Sequence, residues 1–140
     1  MAPVNEDGPF SRIECVNRSL VVVEGAGMNL LVDRKKVKCR LLQVVQFRGE
    51  SVTEASLIDG PILDINLMVR RNDATGIMQI IGNAGQMLDT SMVVAISGPA
   101  VVICDDAEVR LEQYDALIEC DAHKISLKSG TFCAVNVGSC

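Results

Sequence analysis

The sequence has 140 residues, 49% of them apolar and 22% charged, with a formal net charge of −5 at pH 7. That length is enough for a buried core, and so apolar a composition excludes the low-hydrophobicity, high-charge signature of a disordered chain. Three Phe, one Tyr and no Trp leave few of the stacking platforms that grip sugars or single-stranded nucleic acid.

Residues 1–10, MAPVNEDGPF, read as an extended arm, because Pro3 and Pro9 fix φ and interrupt any helix. The stretch is acidic and Pro-rich where a secretory signal is basic and then apolar. Residues 11–140 are expected to form a single β domain. Short apolar runs rich in β-branched residues predict strands near 12–16, 20–23, 30–32, 36–47, 51–58 and 62–69. Gly25-Ala26-Gly27, Asp33-Arg34, Arg48-Gly49-Glu50, Asp59-Gly60-Pro61 and residues 72–76 supply the turns between them. Gly25 and Gly27 do not open a dinucleotide fingerprint, since Leu30 stands where its third glycine belongs. Ile77, Ile80, Ile81, Ala84, Met87 and Leu88 recur at helical spacing, so one short helix or a loop is expected there despite Gly82 and Gly85.

From Val93 an octad repeats without insertion, with apolar residues at its first and third positions. These are Val93 and Ala95, Val101 and Ile103, Val109 and Leu111, Ile125 and Leu127, and Cys133 and Val135; Leu117 is followed by Glu119, which breaks the pattern. Strands of about five residues joined by about three follow, either as an antiparallel meander or as rungs of a β-helix. The expected fold is all-β, an antiparallel sandwich or jelly roll of eight or more short strands.

The charge is uneven. Residues 1–72 hold ten basic and nine acidic side chains, and residues 73–140 three and nine. Arg34, Lys35, Lys36, Lys38 and Arg40 place five of the 13 basic residues in one short stretch. Charge and apolar residues alternate from Lys36 to Leu41, which marks a strand with a basic face, solvated or turned to an acidic protein partner. A pI near 4.8 and the absence of interleaved aromatics argue against nucleic acid. Six cysteines without paired spacing (Cys15, Cys39, Cys104, Cys120, Cys133 and Cys140) read as reduced thiols in a reducing cytoplasm, with no zinc site around the lone His123. Asp105, Asp106 and Glu108 cluster without calcium-loop spacing. No P-loop, nucleophile elbow or catalytic triad is present, so an enzyme, a cofactor, a metal and a small-molecule substrate are not expected. No apolar window is long enough to span a membrane as a helix.

The Pro-rich arm, the many short strands and the lack of catalytic motifs resemble the small all-β decoration or cementing proteins of phage capsids. The octads resemble the repeats of trimeric phage baseplate spikes, though Ala95, Ile103, Leu111, Glu119, Leu127 and Val135 replace the spike glycine. The resemblance implies a structural virion protein that binds itself, as a dimer or trimer, and a capsid shell. Arg34, Lys35, Lys36, Lys38 and Arg40 would be its partner-binding face. A β-helical spike component and a small-ligand-binding β-barrel are the alternatives.

Overall fold

A computed structural model of the chain describes residues 1–82, 84–118 and 125–140, apart from the side chain of Leu88. The described residues form sixteen strands and no helix, and so no helix able to cross a membrane. They divide into two compact units, Met1–Gly76 with Ser139–Cys140, and Ile77–Gly138.

The first unit contains β1 (Ala2–Val4), β2 (Gly8–Pro9), β3 (Val16–Glu24), β4 (Met28–Val32), β5 (Lys35–Cys39), β6 (Val44–Arg48), β7 (Thr53–Leu57) and β8 (Ile62–Arg70). They form two antiparallel sheets, β1-β8-β3-β6 and β2-β7-β4-β5. The first ten residues thus supply an edge strand to each sheet. Pro is tolerated there because an edge strand has one row of backbone groups without a partner. Leu20, Val22, Met28, Leu30, Cys39, Ala55 and Ile62 face inward from both sheets and form the core.

The second unit contains β9 (Ala74–Ile81) from Ile77 on, β10 (Met87–Leu88), β11 (Met92–Ala95), β12 (Ala100–Cys104), β13 (Ala107–Leu111), β14 (Ala116–Ile118), β15 (Ile125–Ser129) and β16 (Phe132–Ser139) up to Gly138. Its sheets run β9-β16-β11-β14 and β10-β15-β12-β13, the order of the first unit strand for strand. Backbone conformation repeats as well. Asp33, Arg34 and Leu42 have φ of 46°, 69° and 60°, and Asp105, Asp106 and Tyr114, each 72 positions later (33 to 105, 34 to 106, 42 to 114), have 46°, 67° and 69°. Two successive residues at positive φ make the tight turn whose twist suits a β-hairpin. The fold is therefore one two-sheet antiparallel barrel topology made twice.

In place of the expected short helix or loop at 77–88, the described residues give a strand that runs to Ile81 and a short edge strand, Met87–Leu88, with 84–86 as loop. Met78 is buried between exposed Ile77 and Gln79, the period of a strand, and β-branched Ile with two nearby glycines disfavours a helix. The octad boundaries match the strands, but the inward phase holds only for part of them. Val93, Ala95, Leu111, Ile125 and Leu127 are core, whereas β12 and β16 contribute Ala100, Val102, Phe132 and Ala134, one residue off the octad phase. Glu119 and His123 lie outside the described residues. The predicted strand at 36–47 is split into β5 and β6, with Leu42 at positive φ between them.

Gly27 has φ of +98°, and a Cβ there would stand 2.4 Å from the Cys39 carbonyl oxygen. Gly27→Ala is expected to destabilise the protein by about 1–3 kcal/mol, because backbone strain and a backbone clash add. Urea unfolding checks this, and an unchanged midpoint would show that the β3–β4 turn relaxes freely.

Candidate functional site

The interior of the first barrel is not uniformly apolar. Successive inward positions of β3 carry Arg18, Leu20 and Val22, and those of β8 carry Ile62, Asp64 and Asn66; the register sets Leu20 opposite Asn66 and Val22 opposite Asp64. Arg18 is 4% exposed and Asp64 1%. Charged side chains are rarely buried this far unless paired, since desolvation disfavours the ionised form by several kcal/mol.

These two do not close on each other. Arg18 donates from Nη1 to the Ser11 carbonyl at 3.3 Å and from Nε to Asn66 Oδ1 at 3.5 Å. Its guanidinium lies 5.0 Å from the Phe10 ring centroid and 5.1 Å from that of Phe47, whose rings stack at 6.3 Å. Two aromatic faces replace part of its hydration and hold its orientation. The Ala2 backbone N–H donates to the Asp64 carboxylate, while Oδ1 is buried with no hydrogen-bond partner. Burial pushes the Asp64 carboxyl up to about 6, against the opposing pulls of the N-terminal ammonium and then Arg18. Burial lowers the Arg18 pKa, with Asp64 acting the other way. Burial and then Asp64 also push the Cys39 thiol up to about 11, so it is a core thiol and not a nucleophile.

A groove of about 580 Å³ opens on the same strands, lined by Arg18 and Phe47 with Asn17, Gln46, Arg48 and Arg71. Arg71 is held in place. Its Nη2 donates to both Glu50 carboxylate oxygens at 2.7 and 2.8 Å, and its Nε to Asn17 Oδ1 at 3.1 Å. The hydrogen bonding from Arg71 is the main reason the Glu50 carboxyl lies below its ordinary range. The volume is in the range of sites for small metabolites.

The second barrel lacks this feature among the described residues. Its matching strand pair sets Val93 opposite Ala134 and Ala95 opposite Phe132, all in an apolar core. Among the described residues the buried charges, Arg18 and Asp64, both belong to the first unit.

Arg34, Lys35, Lys36, Lys38 and Arg40 lie on and beside β5, the exposed edge of one sheet in the first unit, and not at the interior site. Asp105 and Asp106 form the β12–β13 turn, and Glu108 pairs with Lys128. No group of three potential metal ligands occurs among the described residues. Arg18, Asp64 and Asn66 were missed from sequence. Their signal was available, as polar residues at inward positions of the otherwise apolar runs 16–24 and 62–70.

Comparison with known proteins corrects the functional expectation. The profile of the family described as HutD matches residues 1–135. An uncharacterized 21.2 kDa protein in the hutC 3′ region of Pseudomonas putida is 29% identical over 144 residues, covering 98% of this chain and 76% of that protein. The structure of HutD from Pseudomonas fluorescens SBW25 (formate condition) superposes with a TM-score of 0.84 at 25% identity, covering 99% of this chain and 76% of the other. A cupin 2 conserved barrel domain protein from Leptotrichia buccalis shares the fold, with a TM-score of 0.58 at 9% identity over 99% of this chain and 81% of that one. The resemblance to capsid decoration proteins and baseplate spikes is thereby overturned, and the virion role and location fall with it. The described octad residues form strands shared between the two sheets of the second unit, where β12 and β13 pair as a hairpin and β11 pairs with the distant β14 and β16. The profile match spans nearly the whole sequence, and on that ground the chain belongs to the HutD family.

Proposed function

We propose that this chain is a non-catalytic binding protein for a small organic carboxylate that also carries an N–H donor, acting in bacterial histidine utilisation in the cytoplasm. The observation that carries the reading is the pair of buried charges in the first barrel, with Asp64 Oδ1 lacking a donor. A ligand carboxylate suits the Arg18 guanidinium, which offers a planar fork of donors. An imidazole N–H suits the orphaned Asp64 oxygen, and the Phe10 and Phe47 rings suit a flat apolar body. Histidine and the acids formed from it carry such groups. The P. fluorescens HutD structure belongs to a formate condition, which makes formate, the smallest carboxylate, a natural probe. Among the described residues the thiol that Asp64 acts on, Cys39, is buried and held protonated, which favours a binding role.

Isothermal titration tests this with an imidazole-bearing carboxylate, imidazole alone and formate. The imidazole carboxylate is expected to bind best, and Arg18→Met to weaken it at least about tenfold while leaving imidazole alone little changed. Arg18→Lys keeps the cation and is expected to fall between. Absence of binding to the wild type, or equal affinity in Arg18→Met with its fold intact by circular dichroism, would overturn the reading.

A further inference from the structure

Two hairpins occupy the same place in the two units and carry opposite charge. Positions 33–43 hold Arg34, Lys35, Lys36, Lys38 and Arg40 against Asp33. The matching positions 105–115 hold Asp105, Asp106, Glu108, Glu112 and Asp115 against Arg110. All ten majority charges are exposed. The strands they flank, β5 and β13, are each the last in a four-stranded sheet, so each has one row of backbone N–H and C=O groups without a strand partner. The first hairpin is held firmly, because Asp33 Oδ1 accepts from the Val52 N–H at 3.0 Å and the Asp33 N–H donates to the Val52 carbonyl at 2.9 Å.

From this charge inversion we propose that the β5 edge of one copy of this protein docks against the β13 edge of a second copy. Lysines on an edge strand keep it from pairing with another lysine-rich edge, so β5 rejects β5 and accepts an acidic strand. None of the five basic residues is held in an ion pair with a described residue. On the acidic side Glu108 already pairs with Lys128, which leaves Asp106 and Glu112 to set the attraction. Leu31, 37% exposed and opposite Lys36 in the β4–β5 register, and Val52, 55% exposed, add apolar surface beside the basic row. Charge then sets partner and register, and burial beside it holds the contact.

The contact joins two different patches, so it gives a closed ring or dimer where the geometry closes and an open chain where it does not. It is independent of ligand binding in the first barrel. The test is mass in solution by light scattering at low and at high salt. The wild type is expected to exceed one chain at low salt and to dissociate as salt rises. Two variants, Lys35→Glu/Lys36→Glu/Lys38→Glu and Asp106→Arg/Glu108→Lys/Glu112→Lys, are each expected to associate at least about tenfold more weakly alone. Asp106→Arg repeats the residue that Arg34 places at the matching turn position. An equal mixture of the two variants pairs an acidic β5 with a basic β13 and is expected to restore association. A wild type that stays a single chain at low salt, assemblies that survive both reversals, or a mixture that stays separate while both variants keep their circular dichroism spectra would each overturn the proposal.

Discussion

Asp64→Asn is expected to raise stability at pH 8 by roughly 1–3 kcal/mol and to change it little near pH 4. The Asp64 carboxyl titrates at about 6 in the folded protein against 3.8 ordinarily, chiefly because burial disfavours its charge. The folded state therefore binds the more protons between pH 3.8 and about 6. Stability falls as pH rises through that window, and the full penalty is present above it. An amide keeps the shape and an acceptor for the Ala2 N–H while removing the charge, which lifts the penalty where the wild type carries it. Part of the gain is offset, because Arg18 loses the field of a nearby carboxylate. Urea unfolding at both pH values decides the matter, and a gain no larger at pH 8 than at pH 4 would mean that Oδ1 is already satisfied in solution. The same substitution is expected to weaken the imidazole carboxylate, so the variant gains stability and loses function. That opposition separates a ligand site from a structural ion pair, whose loss would lower stability.

The sequence was most legible where one short-range rule decides the structure. Alternation placed most strands to within a few residues, and Gly25-Ala26-Gly27 and Asp33-Arg34 were recognisable as turns because few residues accept positive φ. The stretch 77–88 was misread because its apolar spacing fits a helix as well as a strand for a few turns, and pairing with a distant strand decided between them. The octad count misled in a different way. It caught the even spacing of strands but not the 72-residue duplication, because the two copies share backbone conformation and not side chains, as the opposite charges of 33–43 and 105–115 show. Arg18 falls between the predicted strands 12–16 and 20–23. Which face of β3 it points to depends on pairing with β6 and β8, and a local pattern does not carry that.

Phe132→Ala is expected to cost about 3–5 kcal/mol, more than any other single truncation in the second barrel. Phe132 is fully buried and is the largest fully buried side chain of the described residues. It lies opposite Ala95 in the β11–β16 register, so a small residue on one strand makes room for the ring on the other. With Ala at both positions no neighbour fills the space, and the loss combines transfer of the ring to water with the cavity left behind. Phe132→Leu keeps most of the volume and is expected to lose under half as much. Denaturant unfolding measures both, and hydrogen exchange should show the lost protection in β11, β15 and β16. A cost for Phe132→Ala no greater than for Phe132→Leu would mean that the second barrel collapses around the deletion. The barrel filled by a phenyl group would then be as adaptable as the one that keeps charges in its interior, and the contrast that assigns the ligand to the first barrel would lose its physical basis.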